Sequence, residues 1–144
     1  MPEDLLTLIL QRIILGAESY VPNAVRLELG KSGRLTPEVS QALRKPSLLK
    51  SEKNRTGAYR YYNKVPSLLD PALALEKTKP ELWEDVSEFY AKVRNKILHG
   101  YQIGASRPEA LYQSLDMFVG VYEWVDSWHK PFTKWSRNQA PDNP

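Results

Sequence analysis

Pro80-Glu81-Leu82-Trp83-Glu84-Asp85-Val86-Ser87-Glu88-Phe89-Tyr90-Ala91-Lys92-Val93-Arg94-Asn95-Lys96-Ile97-Leu98-His99-Gly100 is the stretch that decides the fold. Pro80 brings a φ already suited to a first helical turn, and Glu81, Glu84 and Asp85 favour the positive end of the helix dipole. Leu82, Val86, Phe89, Val93 and Ile97 then recur at spacings of 4, 3, 4 and 4. That period marks one buried helical face, which Trp83 and Tyr90 widen, and Gly100 offers a stop. The opposite face carries Glu81, Asp85, Glu88, Lys92, Asn95 and His99. Arg94 stands at the edge of the apolar stripe, about 140° from His99 on an ideal helix.

Outward from this helix the pattern stays helical. Arg107-Pro108-Glu109 opens a second one, and Leu111, Leu115, Phe118, Tyr122 and Val125 repeat at 4, 3, 4 and 3, the spacing of a bundle. Trp124 and Trp128 fall beyond that face and are expected to meet a neighbour or a partner. Pro131 ends this helix. Toward the N-terminus, residues 4 to about 20 read as a helix apolar nearly all round, suited to a bundle centre or a subunit interface. Tyr20-Val21-Pro22-Asn23 is expected to break it, leaving a short amphipathic piece at 24–29. Thr36 reads as an N-cap with Pro37 at the first helical position, opening a short helix to about Leu43.

Residues 46–79 read as an irregular segment. Within it, Asn54 to Lys64 interleaves Tyr59, Tyr61 and Tyr62 with basic residues. Such a run either stacks bases and holds phosphates or packs its rings on the bundle; the second reading is slightly preferred. No stretch alternates as a strand does. The fold class is therefore all-α, a bundle of four to five helices over residues 1–130, followed by a polar tail at 131–144 expected to be partly disordered.

Composition narrows the chemistry. The 144 residues include no cysteine and two histidines, His99 and His129, leaving little material for a metal centre and none for a disulfide. No cofactor is expected. Leu5 to Leu15 is too short to cross a bilayer and follows acids rather than a basic leader, so a cytoplasmic protein without membrane contact is expected. Net charge is +3, yet Lys31 to Lys64 holds nine cations against two acids, a surplus of seven that leaves the rest four negative. A basic segment of this kind is a phosphate-binding surface or a solvated loop.

The one compact grouping of reactive residue types is Arg94-Asn95-Lys96-Ile97-Leu98-His99-Gly100-Tyr101. A histidine moves protons near neutral pH, and an arginine offers a phosphate a planar fork of donors. Asn95 orients either one. These are the ingredients of RNA cleavage in which the ribose 2′-OH attacks the adjacent phosphate. The mundane alternatives are Arg94 bound to Glu88 or to the backbone around Tyr90, and a surface cap for His99. Lys96, Arg55, Arg60 and Lys64 are the candidate RNA-binding cations.

The string resembles the signature of the HEPN superfamily, an Arg followed after four to six residues by His, with a polar residue after the Arg. Tyr101 extends it to the Arg-x4-His-x-Tyr form of toxins paired with minimal nucleotidyltransferase antitoxins. The resemblance implies a HEPN-like helical bundle acting as a metal-independent endoribonuclease, a toxin or defence effector. It also implies a homodimer whose two motifs share one cleft, with Arg94 and His99 catalytic and Asn95 assisting. Tyr101 would then be the target of adenylylation by the antitoxin. The alternatives are a catalytically inactive module of the same type that binds RNA or nucleotide, and a helical protein-interaction domain.

Overall fold

The structure is a computed structural model that describes residues 3–46, 49, 57–98 and 108–130; the segment 131–144, Arg55, His99 and Tyr101 lie outside the described residues. Those described are helical or turn, with no strand among them. The order is α1 (Glu3–Lys31), α2 (Pro37–Arg44), α3 (Gly57–Tyr59), a π-helical turn (Arg60–Lys64), α4 (Val65–Ser67), a 3-10 turn (Pro71–Leu73), α5 (Leu75–Thr78), α6 (Pro80–Lys92), α7 (Arg94–Leu98) and α8 (Pro108–Trp128).

The starts written into the local sequence hold. Thr36 accepts from the Val39 N–H at 3.2 Å as an N-cap, with Pro37 behind it, and α6 and α8 begin on Pro80 and Pro108. The expected break at Pro22 does not occur. α1 runs through it for 29 residues, although proline has no N–H for the Glu18 carbonyl. An interior proline costs about 3 kcal/mol; burial of Val21, Ala24, Val25 and Leu29 around it offsets that. With the break gone, α1 meets the length and composition of a membrane span, while Leu6, Leu10, Ile14 and Ala17 are packed into the bundle.

The irregular segment expected at 46–79 is corrected over residues 57–78, while 47, 48 and 50–56 lie outside the described residues. From Gly57 to Thr78 the chain forms a chain of short helices, so the bundle has more and shorter pieces than the four to five helices expected. Each is too short to hold alone. Buried Ala58, Tyr62, Val65 and Leu75 tie them to the core, and the buried Asn63 Oδ1 accepts the Glu76 N–H at 2.8 Å at the start of α5. The helix from Pro80 is interrupted at Val93, φ −123° and ψ −39°, after which α7 sets off as a separate turn. The polar stripe from Glu81 therefore does not continue in register to Asn95.

α1 and α8 form the spine. Their contacts advance together, Tyr122 Oη to the Ile13 carbonyl at 3.1 Å, Tyr20 Oη to Asp126 at 2.6 Å and His129 Nδ1 to Glu28 at 2.7 Å, so the helices are parallel. Trp124 packs into this interior: it is 1% exposed, its ring 6.4 Å from Tyr62 and 5.6 Å from the partly buried Trp128. The widening of the α8 face inward is what a helix covered by both α1 and α6 requires.

His129 is structural. It is buried at the end of α8 against Glu28, which Lys31 also pairs at 3.0 Å. Burial pushes the Glu28 carboxyl up, but hydrogen bonds from His129 and Lys31 outweigh it and hold the group below its usual 4.5. A depressed carboxylate stabilises the fold above its unfolded pKa and loses that contribution as pH falls through the folded value. Thermal melts are therefore expected to fall as pH drops below about 4.5, with a shallower acid limb in Glu28→Gln.

The helix spacing turns on Gly16. A Cβ there would lie 2.6 Å from the Tyr122 hydroxyl, which is held by its bond to Ile13. Gly16→Ala is expected to destabilise by about 1–2 kcal/mol despite alanine's better helix propensity. In a Tyr122→Phe background the obstructing oxygen is gone and the cost should largely vanish, a coupling that urea denaturation of the double-mutant cycle will show.

Candidate functional site

Arg94 is the residue around which the candidate site is built. It opens α7, which runs antiparallel to α1: Arg94 meets Glu18, and the Ile97 carbonyl accepts from Gln11 Nε2 at 2.7 Å. Ile97 is buried and anchors the turn. The Arg94 fork closes on Glu18 in bidentate fashion, Nε to Oε2 and Nη2 to Oε1, both at 2.7 Å. Nη1 donates to Asn95 Oδ1 at 2.9 Å. The length of the arginine and the break at Val93 let Arg94 and Asn95 meet, while the 140° separation expected from His99 falls outside the described residues. The ion-pair partner is Glu18, not Glu88; Glu88 pairs with Lys92 at 3.1 Å.

Behind the carboxylate lies a row of phenols. Tyr90 Oη donates to Glu18 Oε2 at 2.7 Å and lies 2.8 Å from Tyr62 Oη. A carboxylate only accepts, so Tyr90 spends its one proton on Glu18 and Tyr62 must donate to Tyr90. Burial first, then the neighbouring Tyr62 and Glu18, push the Tyr90 phenol well above its ordinary value. The Arg94 guanidinium also lies 5.5 Å from the Tyr90 ring centroid, within cation–π range. The hydrogen bond to Glu18 raises Arg94 above the ordinary arginine value, with burial opposing. The guanidinium is a permanently charged, fixed group, its side chain 26% exposed.

That exposed part opens into a cleft of about 320 Å³ walled by Glu18, Tyr61, Tyr90, Arg94 and Asn95. Tyr61 and Gly57 are shared with an adjoining cleft of about 170 Å³ that also holds Arg44, Lys45 and Arg60. A larger cleft of about 510 Å³ lies between α6 and α8, but its one cation, Lys92, is the partner of Glu88.

Of the residues expected at a site, Arg94 and Asn95 come together and Arg60 stands in the adjoining cleft, its Nε on the Leu49 carbonyl at 3.1 Å. Lys64 is half-buried in the π turn and Lys96 is exposed on α7; neither lines these clefts. Sequence reasoning missed Glu18 and Tyr90, and counted Arg44 and Lys45 only within the basic segment 31–64. Glu18 does carry a signal: it is the one charged residue between Ile13 and Val25, and a lone acid in an apolar helix implies a buried cation.

No protein-family model, curated protein or solved structure matches the chain.

Glu18→Ala strands a partly buried guanidinium and the Tyr90 hydroxyl. It is expected to destabilise by about 3 kcal/mol in urea unfolding, against less for Glu18→Gln, which keeps an acceptor for Tyr90.

Proposed function

We propose that this chain is a HEPN-type endoribonuclease acting at a composite site between two copies. The observation that carries the reading is the fixed Arg94–Asn95 pair at the mouth of a cleft next to basic residues that make no ion pair with a described residue. Bidentate clamping by Glu18 orients the planar fork, whose side chain stays 26% exposed at the cleft. Two donors in one plane suit the two non-bridging oxygens of a phosphodiester.

In this reading His99, four residues after Asn95 in the Arg-x4-His-x-Tyr pattern, handles the protons. The 2′-OH gives up its proton as its oxygen attacks phosphorus, and the bond to the 5′ oxygen breaks as that oxygen takes a proton. The products are a 2′,3′-cyclic phosphate and a 5′-hydroxyl, and Arg94 stabilises the charge gathering on the phosphoryl oxygens. Tyr101 is the proposed target of a nucleotidyltransferase antitoxin.

A surface on α1 supports the second copy. Leu8 and Leu15 are 50% and 51% exposed, with Leu5 nearby at 45%. On an ideal helix the first two lie only about 60° from the Glu18–Gln11 line that faces α7. Contact through this stripe would bring two copies of α7 close together and supply one cleft with both motifs.

One observation favours a second reading. The Glu18 carboxylate offsets the charge Arg94 would bring to a transition state, while Arg44, Lys45 and Arg60 in the adjoining cleft have no described acidic partner, which suits a catalytically inactive RNA-binding module. Incubation of purified protein with mixed RNAs separates the two. The nuclease reading expects products ending in cyclic phosphate, lost at least about 100-fold in His99→Ala and in Arg94→Lys, which keeps the charge without the fork. It also expects Leu8→Glu/Leu15→Glu to yield an inactive monomer by light scattering. Intact RNA with a protein that still binds it leaves the inactive module.

A further inference from the structure

Of the three tyrosines in the basic run, two are tied into the fold. Tyr59 Oη donates to Glu76 at 2.8 Å with its ring edge-on to Trp83, and Tyr62 is fully buried against Tyr90. Tyr61 is different. The π-helical turn from Arg60 to Lys64 inserts an extra residue into the helical repeat, a distortion that re-aims side chains and recurs at functional sites. Here it sends Tyr62 and Asn63 into the core and leaves Tyr61 partly buried, packed against the core yet forming the wall common to both clefts.

The two sides of that wall differ in chemistry. One holds Glu18, Tyr90, Arg94 and Asn95 and is electrically balanced by the ion pair. The other holds Arg44, Lys45 and Arg60, none of which makes an ion pair with a described residue. Arg60 is held by its Nε at the Leu49 carbonyl, and its terminal nitrogens have no acidic partner among the described residues.

We propose that this two-lobed groove binds single-stranded RNA, with one base stacked on Tyr61 and the phosphate beside it on Arg44, Lys45 and Arg60. The strand then continues past Tyr61 to the Arg94–Asn95 fork. The choice of RNA as ligand rests on the ribonuclease reading. The stacking wall and the cation cluster rest on the geometry alone. A duplex is excluded because its bases are already stacked on one another and cannot lie against a side chain in a cleft. Aromatic stacking is worth about 1–3 kcal/mol per base and tolerates any sequence, so a groove of this kind binds strands without strong base preference.

The test uses full-length His99→Ala protein, so that binding is read without cleavage, and a fluorescein-labelled oligouridylate of about eight nucleotides, within the usual site sizes of stacking grooves. Anisotropy is followed from about 50 to 200 mM salt. Tyr61→Ala is expected to weaken binding about 5- to 100-fold and Tyr61→Phe to leave it within about twofold. Arg44→Ala/Lys45→Ala should lower the slope of log K against log salt by about 1.4, two phosphate contacts at about 0.7 each. A folded Tyr61→Ala protein that binds like its parent, an unchanged salt slope, or equal affinity for a duplex would overturn the proposal. Binding as expected by a wild type that cuts nothing retires the nuclease reading and leaves the groove. Cleavage with Tyr61→Ala binding unchanged does the reverse.

Discussion

The bidentate bond between Glu18 and Arg94 is the constraint on which the site depends. It joins α1 to α7 across 76 residues of sequence and orders everything around it. Glu18 is 9% exposed, and a carboxylate at that depth is tolerable only when its lone pairs are filled. Two guanidinium nitrogens and the Tyr90 hydroxyl fill them, and Tyr62 in turn satisfies Tyr90. The short helices from Gly57 onward are thereby tied by Tyr62 to the same carboxylate that holds Arg94. The Arg94 fork, the short helices and the core are one mechanical unit.

α1 makes this possible because it is continuous. A helix ending at Tyr20 would leave Glu18 in a fraying last turn. Running on through Pro22, it places Glu18 mid-helix with packed turns on both sides. Pro22 also frees the Glu18 backbone carbonyl from an i+4 partner, so the polar atoms of that turn are not all spent within α1. The parallel packing of α8, close enough at Gly16 for the Tyr122 hydroxyl to reach the Ile13 carbonyl, stiffens the same stretch from the other side.

An ion pair of this kind constrains function as well as structure. A guanidinium neutralised by a neighbouring carboxylate attracts phosphate less at long range than a free one, but its orientation needs no adjustment on binding. Long-range attraction would then fall to Arg44, Lys45 and Arg60 in the adjoining cleft, which no described acid pairs. Separating attraction from orientation suits a chain whose net charge is only +3.

Local chemistry by itself determined much of the helical frame. Prolines and caps act within one turn, so the starts at Pro37, Pro80 and Pro108 were legible from a few residues. The 3-4 spacing from Leu82 onward announced a buried face, and Arg94 with Asn95 stood out as a pair of phosphate-competent side chains. What the sequence alone did not reveal was decided by packing between distant residues. Pro22 stays helical because Val21, Ala24 and Val25 are covered from outside α1, and residues 57–78 are helical because the core accepts Ala58, Tyr62 and Leu75. Trp124 turns inward because Tyr62 is there to meet it. The partner of Arg94 was Glu18 rather than the nearer Glu88, since burial removes competition from water that an exposed helix face never escapes. Only the tertiary structure could choose between them.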